Sequence, residues 1–150
     1  MGLVLGVVND MKKDVNMVKG EMSNVVEDVR SLKEDQFVDL IKADTMSNVS
    51  FSGGDPFYQV EAFTELARRI KEETHKTIWC WTGFTLEEIR SSEHLSMMLP
   101  YLDVLVDGPY VKELRDTDLY FRGSSNQRVI YLTPREDDYI PGTVRLAEMR

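Results

Sequence analysis

Hydrophobic positions in the first quarter of the chain recur in alternating steps of three and four: Val8, Met11, Val15, Val18, Met22, Val25, Val29 and Leu32. This spacing predicts a helix with a heptad seam, Val8, Val15, Met22 and Val29 at a and Met11, Val18, Val25 and Leu32 at d. The flanking e positions are Lys12, Lys19, Val26 and Lys33, and the g positions are Asp14, Glu21, Asp28 and Asp35. In a parallel pair Asp14 faces Lys19 of a second copy and Asp28 faces Lys33, which sets orientation and contributes little stability. Gly20 inside the run costs about 1 kcal/mol of helix stability, and valine is a mediocre helix former. Two arrangements fit the pattern: a homodimeric coiled coil through residues 8–35, or one amphipathic helix lying on the body of the same chain.

Near Gln36 the rhythm changes. Phe37, Leu40 and Ile41 continue a helix at globular spacing, closed by Lys42-Ala43-Asp44. Asn48–Ser52 then reads as a short strand running into Gly53-Gly54-Asp55-Pro56, followed by a helix with Val60, Phe63, Leu66, Ala67 and Ile70 on one face. A second strand is expected at Thr77–Thr82. After the turn at Gly83 comes a helix opened by Thr85, whose spacing to Glu88 is that of a capping box. Strands at Asp103–Asp107 and Arg128–Leu132 complete the pattern. Strand alternating with helix is the signature of an α/β fold with a parallel, helix-covered sheet. The expected division is therefore a helix over 1–35, an α/β body over 36–133 and a charged, loosely ordered tail over 134–150.

Composition narrows the classes of function. The 150 residues suffice for one domain with a core, and 42% hydrophobic with 29% charged residues is ordinary for a globular protein. The net charge of −8 disfavours a nucleic-acid partner, because an acidic surface repels phosphate backbones. The single cysteine, Cys80, forms no internal disulfide and points to a reducing, cytoplasmic setting. The apolar start Gly2–Val8 is much shorter than the ~20 residues of a membrane span and lacks a basic leader, so neither a membrane anchor nor a signal peptide is expected.

Three segments at predicted strand ends could carry chemistry, since ligands of parallel α/β sheets bind at the carboxyl edge of the strands. In Ser52-Gly53-Gly54-Asp55-Pro56 the glycines admit close backbone approach and Asp55 can take an ammonium group; the plainer reading is a tight turn. Trp81-Thr82-Gly83-Phe84 could flank a flat ring, or simply pack as a strand end. Arg122-Gly123-Ser124-Ser125-Asn126-Gln127-Arg128 offers donors for a carboxylate or for a partner's loop, or forms a surface turn. His75 and His94 stand isolated near helix ends and read as surface residues.

Taken together and in order, the segments Phe51–Phe57, Ile78–Phe84, Asp103–Tyr110 and Phe121–Arg128 resemble the anaerobic ribonucleoside-triphosphate reductase activating proteins of the radical S-adenosylmethionine superfamily. The resemblance runs from about Glu34 to Leu132. It implies a partial (β/α) barrel in which S-adenosylmethionine chelates a [4Fe–4S] cluster. One electron cleaves the sulfonium bond, and the 5′-deoxyadenosyl radical takes hydrogen from a glycine of the large reductase subunit. It also implies that Gly53, Gly54 and Asp55 bind the cofactor's methionine end, with Ser52, Pro56, Thr82, Gly83, Arg122, Ser124 and Asn126 along the same cleft or its rim. No catalytic side chain and no metal ligand is assigned.

The sequence departs from the family in one respect. Three cysteines spaced Cys-x3-Cys-x2-Cys are expected after the first strand, upstream of residue 36, and they are missing. Thiolates are what such clusters require, and Cys80 lies mid-strand between two tryptophans. The heptad segment stands where the first strand and its loop belong, so the sequence predicts a body that lacks that strand and leaves the next one with an open edge. Three explanations stay open: an upstream truncation or frameshift, a cluster-free relative that acts as a non-catalytic coiled-coil binding or assembly protein, or cysteines supplied by another polypeptide.

Overall fold

Strand formation begins earlier than the heptad pattern predicts. The computed structural model describes residues 3–6, 26–28, 34–133, 143–146 and 149. In it Leu3–Gly6 forms a strand, β1, and Val26–Asp28 a second, β2. The helix α1 spans Glu34–Ala43, β3 Val49–Phe51, α2 Val60–Glu73 and β4 Ile78–Trp81. Two short helices follow, α3 at Leu86–Ser91 and α4 at Glu93–Ser96, then β5 at Val104–Asp107, β6 at Arg128–Tyr131 and β7 at Thr143–Arg145. The seven strands form one sheet in the order β2-β1-β3-β4-β5-β6-β7.

Two expectations about the first 35 residues are thereby corrected. The first strand is present: β1 pairs parallel with β3, Leu3 opposite Val49 and Leu5 opposite Phe51, so β3 has a neighbour on both sides. Its four residues read as an unbroken apolar run, as buried parallel strands do, and such a run carries no periodicity to announce it. The predicted heptad helix does not extend through Val26–Asp28, which is a strand paired parallel with β1. The β-branched Val26 favours extended backbone, and the edge of β1 supplies cross-strand hydrogen-bond partners. The remainder of the heptad reading, residues 8–25 and 29–33, lies outside the described residues. In the tail, Thr143–Arg145 adds to the sheet parallel with β6, and Leu146 and Met149 pack on the main core, in place of the loose end expected there.

From β2 through β5 all pairings are parallel, whereas β6 runs antiparallel to β5. The 108–127 connection explains the reversal. Its only helical piece is the three-residue turn Lys112–Leu114, too short to carry the chain back to the far end of the sheet, so β6 starts at the edge where β5 stops.

The two faces of the sheet differ. Val49, Phe51, Ile78, Cys80, Leu105 and Ile130 face α1 and α2 and form the main core with Phe37, Ile41, Phe63, Leu66 and Ile70. Phe51 and Phe63 meet edge to face with ring centroids 4.9 Å apart, a geometry favoured by the aromatic quadrupole. The alternate residues Trp79, Trp81, Val104, Val106, Val129 and Tyr131 make a smaller cluster on the other face. No helix among the described residues is long and apolar enough to cross a membrane.

Candidate functional site

The order of the strands locates the site. From β1 the chain moves outward to β2 and then returns to the other side of β1 as β3, so strand order reverses between β1 and β3. Crevices form at the carboxyl ends of strands at such a reversal. The Ser52–Pro56 segment leaves β3 at that edge, and Thr82–Phe84 leaves the neighbouring parallel strand at the same edge.

Gly53 and Gly54 have φ of +75° and +33°, left-handed conformations that side chains other than glycine adopt only at a cost. Both are exposed. Neither makes a hydrogen bond to another described residue, so their peptide groups are open to a ligand. Ser52 is half-buried beside them and Pro56 is buried as the first residue of a 3-10 turn over Pro56–Gln59.

Asp55 is engaged with the protein itself. Its Oδ1 accepts from Phe57 N at 3.0 Å, capping the 3-10 turn. Its Oδ2 accepts from the Thr82 hydroxyl at 2.9 Å and from Gly83 N at 2.8 Å. Thr82 Oγ1 in turn accepts from Phe84 N at 3.1 Å, and Thr82 N donates to Val106 O at 3.0 Å. The glycine corner after β3 and the turn after β4 are therefore tied by one carboxylate. Phe84 stands between Phe57 and Tyr58, with centroids 6.4 and 5.5 Å away.

The Arg122–Arg128 segment turns inward. Gln127 Oε1 accepts from Gly123 N and Ser124 N, and its Nε2 donates to Gly108 O at 3.0 Å. Asn126 Nδ2 donates to Pro109 O at 2.7 Å. The Ser124 hydroxyl, fully buried, accepts from Val111 N. Arg122 Nη1 donates to Gln127 O, while its buried Nε has no partner among the described residues. These groups brace the long β5–β6 connection. The brace holds Phe121 at φ +62°, a conformation that costs a non-glycine residue about 1 kcal/mol or more. The Trp81 indole N–H donates to the Phe121 carbonyl at 2.9 Å, and the Phe121 ring lies 4.8 Å from that of Trp79.

Arg128 closes the donor-rich segment read from the sequence, whereas Asp107 and Glu87 carry no specific sequence signal of a site. Asp107 is fully buried and accepts from Leu86 N at the start of α3, and Arg128 bridges it to Glu87 with contacts of 2.5 and 2.6 Å. Hydrogen bonding to Arg128 holds the Glu87 carboxyl below the usual carboxylate range, and the Asp107 and Glu87 partners raise Arg128 further. The signal available was the Asp-Gly pair ending the β5 pattern, which reads equally well as a turn. A cleft of about 400 Å³ opens at the opposite edge of the sheet, among Lys42, Asp44, Ser47, Asn48, Glu73 and Lys76, away from every segment described above.

The match to known families decides the classification. A model of the 4Fe-4S single cluster domain matches residues 13–130. The chain belongs to that family. Among curated proteins, the anaerobic ribonucleoside-triphosphate reductase-activating protein of Vibrio cholerae serotype O1 is 46% identical over 82 residues, covering 53% of this chain and 52% of its own. Those of Haemophilus influenzae and Enterobacteria phage T4 are 43% and 39% identical, covering 53% and 56% of this chain and 52% and 53% of theirs. The chain thus spans about half the length of the curated relatives it matches. No solved structure matches it significantly.

The 4Fe-4S family is named for a cluster that the residues present do not fit. Cys80 is the one cysteine in the sequence. Its side chain is fully buried on the helix-covered face of the sheet, and burial, helped by the Asp55 charge, pushes its thiol well above the usual range. A cluster needs accessible thiolates, and this group is neither. Among the described residues no group of three His, Cys, Asp or Glu side chains is placed to hold a metal ion.

Proposed function

We propose that this chain is the S-adenosylmethionine-binding body of an activating protein for anaerobic ribonucleoside-triphosphate reductase. The observation that carries the reading is the open glycine corner at Gly53–Gly54, tied to Thr82 and Gly83 at the carboxyl edge beside the strand-order reversal. The names of the relatives, which match over about half their length, point to the partner, anaerobic ribonucleoside-triphosphate reductase; in this reading the surface met is that of its large subunit. Left-handed glycines with unengaged peptide groups suit the ammonium end of the cofactor's methionine, because backbone carbonyls accept from a cation without a desolvated carboxylate. Trp81-Thr82-Gly83-Phe84 offers an aromatic wall for the adenine. Arg122, Ser124 and Asn126 contribute through the shape of the rim they brace. In this reading the face of the sheet that carries Trp79 and Trp81, on which no helix among the described residues contributes to the cluster, is the inner wall of a partial (β/α) barrel. A soluble, cytoplasmic setting goes with this role.

S-adenosylmethionine supplies the radical precursor in this family when a cluster is present. This polypeptide's own share is to bind and orient the cofactor. Isothermal titration with S-adenosylmethionine, and with ATP as a control for adenine alone, tests the reading. Saturable binding of the former at a tenfold or greater preference is expected, and no binding at millimolar ligand would overturn it. The cysteine count favours a second reading, a cluster-free binding protein for the reductase. Co-sedimentation with the reductase, combined with the S-adenosylmethionine titration, separates the two, since a cluster-free reductase binder associates with the reductase whether or not it takes up S-adenosylmethionine.

A further inference from the structure

Asp55 is the polar side chain nearest the glycine corner in sequence, and a free carboxylate there would be the natural partner of an ammonium group. Its geometry points elsewhere. It accepts three hydrogen bonds from within the protein, one per side of the crevice and more: Phe57 N on its own loop, and Thr82 Oγ1 and Gly83 N on the next. Oδ2 takes two donors at 2.9 and 2.8 Å, which occupies both of its lone-pair directions. The donors that reach it are themselves fixed. Thr82 is 6% exposed, and its hydroxyl also accepts from Phe84 N while its backbone bonds to β5.

We infer that Asp55 is a positioning residue, a latch that holds Gly53 and Gly54 in register with the turn after β4, and that it acts on a bound ligand through those glycines. Removing the latch frees the β3 loop from the β4 loop, and the left-handed pair then relaxes toward the more populated backbone regions. The inference rests on the reading of Gly53–Gly54 as a cofactor-binding corner. The role of Asp55 in joining the two loops is measurable without any ligand.

The two roles for Asp55 differ in what they require of it. A latch requires hydrogen-bond acceptors, whereas direct capture of an ammonium requires negative charge. Asp55→Asn keeps a carbonyl oxygen for Thr82 and Gly83 and loses the charge; Asp55→Ala loses both. Thr82→Val removes one arm of the latch while leaving the Asp55 carboxylate and its charge in place, and Thr82→Ser restores it. With S-adenosylmethionine as the probe on the full chain, the latch predicts about tenfold weaker binding (about 1.4 kcal/mol) for Asp55→Ala and for Thr82→Val. It predicts near wild-type binding for Thr82→Ser and at most about threefold weakening for Asp55→Asn. Asp55→Asn as weak as Asp55→Ala, with Thr82→Val unchanged, would overturn the latch in favour of a direct ionic contact. Amide hydrogen exchange of Gly83 in the ligand-free chain gives a second readout. A rise of tenfold or more in Asp55→Ala is expected, and no change would sink the latch. Failure of the wild-type chain to bind S-adenosylmethionine would instead count against the proposed function, leaving the exchange result to decide the latch.

Discussion

A buried carboxylate and a buried thiol show how far a residue's role departs from its type. Asp107 sits at the end of β5 with its side chain 1% exposed, paired with an Arg128 that is 31% exposed. Removing the charge leaves Arg128 half-paired and weakens the acceptor for Leu86 N. Asp107→Asn is expected to cost about 2–3 kcal/mol in urea unfolding, somewhat below a fully buried pair because Arg128 keeps Glu87 and contact with water. Cys80 is the converse case, a reactive type made inert by burial. Its thiol is pushed up by desolvation and the nearby Asp55 charge. A disulfide reagent at pH 8 is expected to leave the folded chain unlabelled and to titrate one thiol per chain in denaturant. Fast labelling of the native protein would show that β4 opens readily.

At the scale of elements, the junction of α1 and α2 depends on exposed charge. Glu73, in the last turn of α2, accepts from Arg69 one turn earlier and from Lys42 of α1, each at 2.7 Å. These bonds lower its carboxyl from 4.5 to about 2. A depressed carboxylate contributes stability above its unfolded value and loses it as pH falls toward the folded one. The contribution of this junction is therefore complete above about pH 5 and fades between 4.5 and about 2. Glu73→Gln is expected to be less stable than the parent at pH 7, with the difference shrinking steadily between 4.5 and about 2, as followed by thermal unfolding across that range. Where the structure departs from the sequence pattern, hydrogen bonding across the sheet decides. β1 is four residues long and β2 and β7 are three each, too short for a periodic signal, and each exists because a neighbouring edge offers partners.

For the whole molecule, the family and the residue inventory pull in different directions. The matched model covers residues 13–130, yet its cluster finds one cysteine, and that one faces the core. Anaerobic treatment of this 150-residue polypeptide with iron and sulfide is expected to give no visible iron–sulfur absorption that survives desalting. A retained, stoichiometric cluster would mean that other side chains ligate it. The sheet itself takes strands from the first 35 residues, the central body and the last 17, so chain segments of unlike composition share one architecture.

The sequence by itself determined the α/β class, the four central strands to within one or two residues at either end, the family, and the lack of cluster cysteines. All of these reside in local pattern or in composition, which a linear reading sees directly. Tertiary structure decided which short segments become strands, why β6 reverses, and what the polar motif residues do. Asp55, Ser124, Asn126 and Gln127 look like ligand-binding groups along the chain. Each is turned toward backbone donors or acceptors from other parts of its loop or from the next one, as with Asp55 and Gly83 or Asn126 and Pro109. A side chain's chemistry is fixed by its type, but its partner is fixed by folding, because buried or crowded polar groups must be satisfied by whatever the fold brings within about 3 Å.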